Sequence, residues 1–399
     1  MITQNHNGRA AFPYSRLLLG AAVVALTSNF AACSRSSSPD GAATQYTLNP
    51  ANSDGSFPYA GLVQGKDGNL YGTTFSGGAN NAGTVYKVAP GGKPTTLYSF
   101  GSKETDGGAP YASLVQARDG NFYGTNSENG ANGKGTVFQI TPAGVLTTIH
   151  AFGAGTDGAE PSANLVEGKD GSLYGTTQSG GANGGGTIYK ITTSGIVTTL
   201  YSFGVNETDA AGPYAGLTQA NDDNFYGTTP LGGANGKGTV FKITPAGAFS
   251  VIYSFTELAA DKNVDGALPY AGLVQGGDGN LYGATSHGGA KNFGTLFKIT
   301  PAGNFTTLYS FTGAADGSNP RASLVKVGDG FYGTTSGGGA NNLGTAFKVS
   351  PSGSLSTVHT FGANPTDSAT PYGALVKASN GALYGTSLGS GQGSIYRLN

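Results

Sequence analysis

Short apolar–polar alternations, punctuated by Gly, Pro, Asp and Asn, run through the chain from about residue 44 to its end. One group reads Pro58-Tyr-Ala-Gly-Leu-Val-Gln64, Leu70-Tyr-Gly-Thr-Thr74, Thr84-Val-Tyr-Lys-Val88 and Thr95-Thr-Leu-Tyr-Ser-Phe100. A period of two puts successive side chains on opposite faces of an extended chain, and Thr, Val, Tyr and Phe suit a pleated surface. The segments between them are turn chemistry. Lys66-Asp-Gly-Asn69 places Asp-Gly where a tight hairpin needs left-handed backbone, Ser76 to Gly83 is a glycine-rich loop, and Pro90-Gly-Gly92 reverses the chain. The pattern predicts four antiparallel strands joined as a meander.

This group is repeated. Tyr-Gly-Thr, or a close variant, starts at Tyr71, Tyr123, Tyr174, Tyr226, Tyr282, Tyr332 and Tyr384, at intervals of 52, 51, 52, 56, 50 and 52 residues. A fixed period of this size means one supersecondary unit copied and packed against its neighbours. Four strands in about 50 residues fit a propeller blade. A β-solenoid is the rival, but its coils are shorter and its open ends need caps. The last unit begins at Pro371 and stops after its third strand, Gly393-Ser-Ile-Tyr-Arg-Leu398. Tyr46-Thr-Leu48 precedes Asp54 by the offset that separates Tyr98-Ser-Phe100 from Asp106. An orphan fourth strand at the start would therefore complete the last unit. The expected fold is all-β: a seven-bladed β-propeller over residues 44–399, closed by its N-terminal strand so that no sheet edge is left open.

Composition narrows the partners. The net charge is −1 and only 11% of residues are charged, with no basic stripe. That argues against nucleic acid, whose phosphates demand clustered Lys and Arg. Residues 1–32 read as an export signal. Arg9 and Arg16 precede the apolar run Leu17 to Leu26, about half the length of a membrane span. Ala31-Ala32-Cys33 follows, and Cys33 is the only cysteine. The segment resembles a bacterial lipoprotein signal, although Phe30 stands where Leu is usual; ordinary secretion is the alternative. The resemblance implies a lipid on Cys33 and, because Ser34 rather than Asp follows, the outer membrane. Residues 33–43 then form the lipidated cysteine and a flexible tether.

Gly-Thr-Val-Tyr-Lys-Val and Thr-Thr-Leu-Tyr-Ser-Phe, joined by Pro-x-Gly, resemble the GloVer tandem repeat of bacterial exported proteins. Thr239-Val-Phe-Lys-Ile-Thr-Pro-Ala-Gly247 and Gly294-Thr-Leu-Phe-Lys-Ile-Thr-Pro-Ala-Gly303 are close forms of it. The resemblance spans the whole ring and implies an exported protein with one of several surface anchors. It implies no activity. Asp67-Gly-Asn-Leu-Tyr-Gly-Thr73 is also similar to the blade turn of sensor-type propellers and of streptogramin B lyase, a motif that describes a hairpin rather than a site.

Within such an array, a residue repeated in every unit points to structure, and a departure from the pattern points to function. Asp54, Asp106, Asp157, Asp209, Asp265, Asp316 and Asp367 each lie four residues before a proline. They form either a ring of carboxylates able to bind cations or, as the uniform spacing favours, seven turns fixed by side-chain acceptance of backbone N–H. If the Pro-led strand is innermost, the Asp-Pro loops and the glycine-rich loops share one face. The residue after each proline then sits near the channel mouth: Tyr59, Tyr111, Ser162, Tyr214, Tyr270, Arg321 and Tyr372. Five tyrosines make a partial aromatic collar, broken by Ser162 and Arg321. Such a collar contacts a glycan or peptide, or else packs blade on blade. Arg321 offers a planar fork for an anion.

Other departures fall on the same face: His287 and Lys291 in one glycine-rich loop, Glu128-Asn129 in another, and the longer loop Thr256 to Val264. His150 and His359 replace the usual Tyr of the fourth strand and read as structural. No His cluster has zinc spacing, no Gly-x-Ser-x-Gly elbow completes a triad, and nothing pairs Glu128, Glu160 or Glu167 as glycosidase acids. No catalytic residue, metal or cofactor is expected. The reading is a monomeric, non-enzymatic, lipid-anchored binding or scaffold protein, with a polysaccharide or protein ligand at the propeller face. The alternatives are a surface lyase or hydrolase acting on polysaccharide near Arg321 and His287, and a purely structural envelope element.

Overall fold

A computed structural model describes residues 42–49, 53–153, 155–206, 208–256, 264–363, 367–389 and 391–398. The leader, Cys33 and most of the loop between Thr256 and Val264 lie outside these residues. The chain forms seven four-stranded antiparallel sheets, the blades of a β-propeller. In blade one the strands are Val63–Gln64, Leu70–Thr74, Thr84–Val88 and Pro94–Ser99, in that order from the axis outwards. The expected seven-residue inner strand shrinks to a two-residue ladder. Pro58 lacks an N–H to donate, and from there to Leu62 the chain packs against the next blade instead; a Cβ on Gly61 would lie 2.5 Å from the Ala374 carbonyl of blade seven.

Closure follows the expected scheme. The strand Ala42–Thr47 pairs antiparallel with Ser394–Leu398, completing blade seven, and begins two residues before the expected start of the ring. Beyond it, the Leu48 N–H donates to the Gly393 carbonyl at 3.0 Å and the Phe57 N–H to Gln392 at 3.2 Å.

Each letter of the repeated Tyr-Gly-Thr has a mechanical cause. Tyr71 is buried and its hydroxyl donates to Asp67 at 2.8 Å, tying the strand to the preceding hairpin. Gly72 leaves room for the third-strand ring: a Cβ there would lie 2.5 Å from the Tyr86 hydroxyl. Thr73 donates across the blade boundary to the Ala112 carbonyl at 3.1 Å, and Thr386 does the same to Ala60 at 2.7 Å, over the closing seam. The core is divided accordingly into clusters at the blade interfaces, such as Tyr71, Val85, Phe100, Leu114, Phe122, Phe138 and Ile140 between blades one and two. Stacked or tilted rings mark these interfaces, with Tyr71 against Phe122 at 4.0 Å and Tyr174 against Phe225 at 4.1 Å.

The Asp-Pro loops and glycine-rich loops do share a face, since each Asp-Pro loop bridges the glycine-rich loop of its own blade: Ser56 to Ser76, Gly108 to Glu128, Ala159 to Ser179, Ala267 to His287, Ser318 to Gly337. The seven aspartates act as turn fasteners. Asp54 accepts from the Tyr46 hydroxyl at 2.8 Å and the Asn49 N–H at 3.1 Å; Asp106 accepts from Tyr98 at 2.7 Å and the Gly101 N–H at 3.1 Å. His150 and His359 keep this contact, to Asp157 at 2.8 Å and to Asp367 at 3.1 Å. The aromatic partner on the outer strand is the half of the fastener that spacing alone does not reveal. Among the described residues, no three His, Cys, Asp or Glu side chains converge to hold a metal ion.

Candidate functional site

The residue before each collar proline is held in left-handed backbone: Phe57, Ala109, Glu160, Leu268, Asn319 and Thr370 have φ between 53° and 58°, and Gly212 has 60°. Six of these seven carry a side chain, and a following proline disfavours helical geometry further, so the conformation survives only where neighbours over-determine it. They do. The Glu160 N–H donates to Lys134 of the preceding blade, while its carbonyl accepts from Gln178 of its own blade; Ala109 and Leu268 repeat the arrangement. This double tether fixes where the residue after each proline projects, and so builds the mouth.

The tyrosines after the prolines meet there. Tyr59 stacks on Tyr111 with centroids 4.8 Å apart and meets Tyr372 edge-on at 5.2 Å. The Tyr111 hydroxyl donates to that of Tyr372 at 3.1 Å, a contact between blades two and seven that reaches past blade one. Phe75 adds an edge to Tyr59 at 5.5 Å and to Tyr111 at 6.1 Å. On the other side, Tyr214 and Tyr270 meet edge-on at 5.5 Å. Sequence reasoning missed Phe57 and Phe75, which lie outside the position after the proline; their signal was that both are aromatic in one blade only.

Arg321 joins the two groups instead of breaking the collar. Its guanidinium lies 5.2 Å from the Tyr270 ring centre and 5.9 Å from that of Tyr372, and Nη1 donates to the Tyr372 hydroxyl at 3.3 Å. No carboxylate lies within 4 Å of it among the described residues. The arc therefore runs Tyr111, Tyr59, Tyr372, Arg321, Tyr270, Tyr214. It opens at blade three, where Ser162 is small and buried and its hydroxyl turns back to the Glu160 carbonyl at 3.3 Å. Tyr214 at the edge of this gap is 39% exposed, the most open ring of the collar.

Electrostatics follow from burial. Burial and the neighbouring Tyr372 raise the Tyr59 hydroxyl above its ordinary pKa, and the same causes, with the bond to Tyr372, raise Tyr111 well above it. These hydroxyls stay protonated and act as donors. His287 is half-buried; burial, then the Arg321 charge, lower its pKa below the usual imidazole value, so it is neutral at pH 7. Its Nδ1 lies 2.9 Å from the Ser286 hydroxyl. The Arg321 charge is thus near enough to act on His287. Lys291 and Glu128 are exposed on the surrounding loops.

The comparisons fit this architecture. No curated protein matches the sequence. Among solved structures, virginiamycin B lyase from Staphylococcus aureus superposes with a TM-score of 0.60 at 16% identity, over 89% of this chain and 97% of that one. The extracellular domain of a protein described as a hybrid two-component system from B. thetaiotaomicron gives 0.62 at 13% identity, over 91% of this chain but 41% of that one. An oligogalacturonate lyase in complex with manganese gives 0.54 at 11% identity, over 86% and 89%. At such identities the likeness is one of fold, and the fold hosts both sensors and enzymes. The sequence model of the Gloeobacter/Verrucomicrobia repeat matches residues 35–222, 103–264 and 220–399, and with its repeats overlapping along the whole ring the chain belongs to that family.

Proposed function

We propose that this protein is a non-enzymatic, extracytoplasmic binding protein, anchored by a lipid on Cys33, that presents the collar to a polysaccharide or protein partner. One observation carries the reading. Arg321 is held between two aromatic rings with no carboxylate beside it, so part of its donor fork is free for a ligand, and the tyrosines around it offer apolar faces with protonated hydroxyls. Stacking and charge-assisted hydrogen bonds together suit a glycan or peptide lying across the mouth. Removal of Arg321 should weaken capture without unfolding the ring. The test is a glycan array and a pull-down with the purified chain and with Arg321→Ala. A partner whose binding falls at least about tenfold in the variant supports the proposal. Undiminished binding in the variant overturns the site. Mass spectrometry of the mature N-terminus tests the anchor, and an unmodified Cys33 refutes it.

A second reading rests on His287. A neutral imidazole that feels the Arg321 charge supplies the two parts that proton abstraction next to a carboxylate needs, a base to take the proton and a cation to neutralise the carboxylate. Product release from a polysaccharide panel, abolished by His287→Ala in a folded ring, would favour this reading over simple binding.

A further inference from the structure

The blade seams on the face opposite the collar are built to one plan, and two seams depart from it, both with lysine at the acceptor position, Lys326 and Lys377. In five of the seven, a turn N–H of one blade donates to the side-chain carbonyl or carboxylate that ends the inner strand of the next. Lys66 donates to Gln116 at 2.8 Å, Arg118 to Glu167 at 3.1 Å, Lys169 to Gln219 at 2.9 Å, Asn221 to Gln275 at 3.0 Å and Ser379 to Gln64 at 2.7 Å. Between blades five and six the acceptor position is Lys326, facing Gly277. A Cβ on Gly277 would lie 3.3 Å from the Lys326 ammonium. A backbone donor and an ammonium thus converge where every intact seam has an oxygen. Among the described residues the ammonium has no ion-pair partner and the Gly277 N–H no acceptor.

The space is real. A cavity of about 250 Å³ opens at this seam, lined by Gly277, Asp278, Lys326, Asp329, Phe331 and Pro351 among others. The blade-six hairpin is one residue shorter than its sisters and pairs Val327 with Gly330. The seam between blades two and three shows what the vacant position accepts: there Glu167 supplies a carboxylate to the Arg118 N–H, with the Arg118 Nε 3.9 Å away. At the blade-five seam the cation and the N–H are present and the carboxylate is missing.

We propose that this cavity is a ligand site for a small hydroxylated carboxylate, of the hexuronate class. The ligand carboxylate replaces the missing seam oxygen, accepting from the Gly277 N–H and the Lys326 ammonium. Its hydroxyls donate to Asp329. Asp278 contributes less, because its oxygens already accept from Asn280 and Tyr282. The C–H face of a pyranose rests on Pro351. Lysine in place of the seam glutamine is therefore a specificity residue for a negative ligand.

The experiment is titration of the purified chain with D-glucuronate, followed calorimetrically, with D-glucose as the uncharged counterpart. Glucuronate should bind at least about tenfold more tightly than glucose, the discrimination of one charge-assisted hydrogen bond. Lys326→Gln recreates the residue of four other seams, so it should fold, close the seam and lose the glucuronate preference. Lys326→Met, which keeps the length without charge or acceptor, should lose it too. Equal binding of both sugars, no binding by the unaltered chain, or full binding by Lys326→Gln overturns the proposal.

Discussion

Leu48→Ala tests how the ring is held shut. In six blades the outer strand is followed by a fully buried phenylalanine, Phe100, Phe152, Phe203, Phe255, Phe311 or Phe361, whose N–H donates to a glycine carbonyl of the same blade at 2.9–3.0 Å. Leu48 is the seventh member, equally buried, with its N–H on Gly393 at 3.0 Å. Its partners lie about 350 residues away in sequence, so the contact closes the ring and is not supported by chain continuity. Truncating a fully buried leucine to alanine costs about 2.7–5 kcal/mol, more where the surroundings cannot collapse. The seam strand is paired on one side only and can shift inwards, so the lower end applies, about 3 kcal/mol. The loss should show in urea unfolding.

A second consequence separates seam from core. Loosening the strand Ala42–Thr47 exposes the edge of Ser394–Leu398, whose unpaired N–H and C=O groups are a template for another chain. Leu48→Ala should therefore associate in a concentration-dependent way on size-exclusion chromatography. Phe203→Ala, in a blade continuous in sequence, should cost about 3–5 kcal/mol and elute as the unaltered chain does. If Leu48→Ala unfolds at the unaltered urea midpoint and elutes unchanged, the N-terminal strand is not what keeps the ring closed.

Other outcomes follow from the repeated contacts. Burial opposes ionisation of Asp67, but bonds from the Asn69 side chain, the Tyr71 hydroxyl, the Asn69 N–H and Lys87 outweigh it and lower its pKa to about 2; the corresponding contacts lower Asp119, Asp170, Asp222 and Asp278. These folded-state values lie below the unfolded value of about 3.9, so the stabilisation is present above that pH and is lost as pH falls towards about 2. Urea midpoints should drop across that window, and less so in Asp67→Asn; parallel profiles would contradict the assignment. His150→Tyr should restore the Tyr–Asp fastener and change stability by less than about 1 kcal/mol, whereas His150→Ala should cost roughly 1–3 kcal/mol by stranding Asp157, both read from thermal unfolding. Gly238→Ala should destabilise by at least about 2 kcal/mol, because φ is 100° and the new Cβ would lie 2.7 Å from Cδ of Pro269; an unchanged melting temperature would show that the seam gives way there.

What the sequence disclosed is what the ring demands of every blade. Tyr71, Gly72 and Thr73 recur because a hairpin, a packed ring and an inter-blade bond each require one of them, and closure was legible because Tyr46 and Leu48 keep the same offset from Asp54 as Tyr98 and Phe100 from Asp106. The seven aspartates read correctly as turn residues, yet their tyrosine partners stayed hidden, since the pair is joined by the fold and not by a local motif. The inner strand was overestimated because alternation persists through Pro58 to Leu62 while the ladder is only two residues long. Arg321 stood out as a departure, but a one-dimensional pattern places it as a gap in the aromatic series. Only the convergence of blades five, six and seven shows it filling that gap between Tyr270 and Tyr372.

The two departures that matter most have the same physical character. A propeller assembled from near-identical blades satisfies its polar groups by repetition: each donor of one blade meets an acceptor of its own blade or the next. A substitution that removes an acceptor and installs a cation therefore cannot be absorbed by the symmetry. Arg321 replaces a tyrosine at the mouth, and Lys326 replaces a glutamine at the opposite seam, five residues further along the same blade. Each leaves donors in excess at a surface that is otherwise balanced, and the cost of that imbalance is met by solvent until an anion arrives. Blade six thus carries such a cation at each end, whereas Lys377 stands at the seam of blade seven with Tyr372 at the mouth. Exchanging its inner segment, residues 321–326, for the Tyr214–Gln219 segment of blade four should leave the fold intact while removing the excess charge at both ends; a ring so altered that still captured its collar partner and still preferred glucuronate to glucose would show that neither cation does what its position suggests.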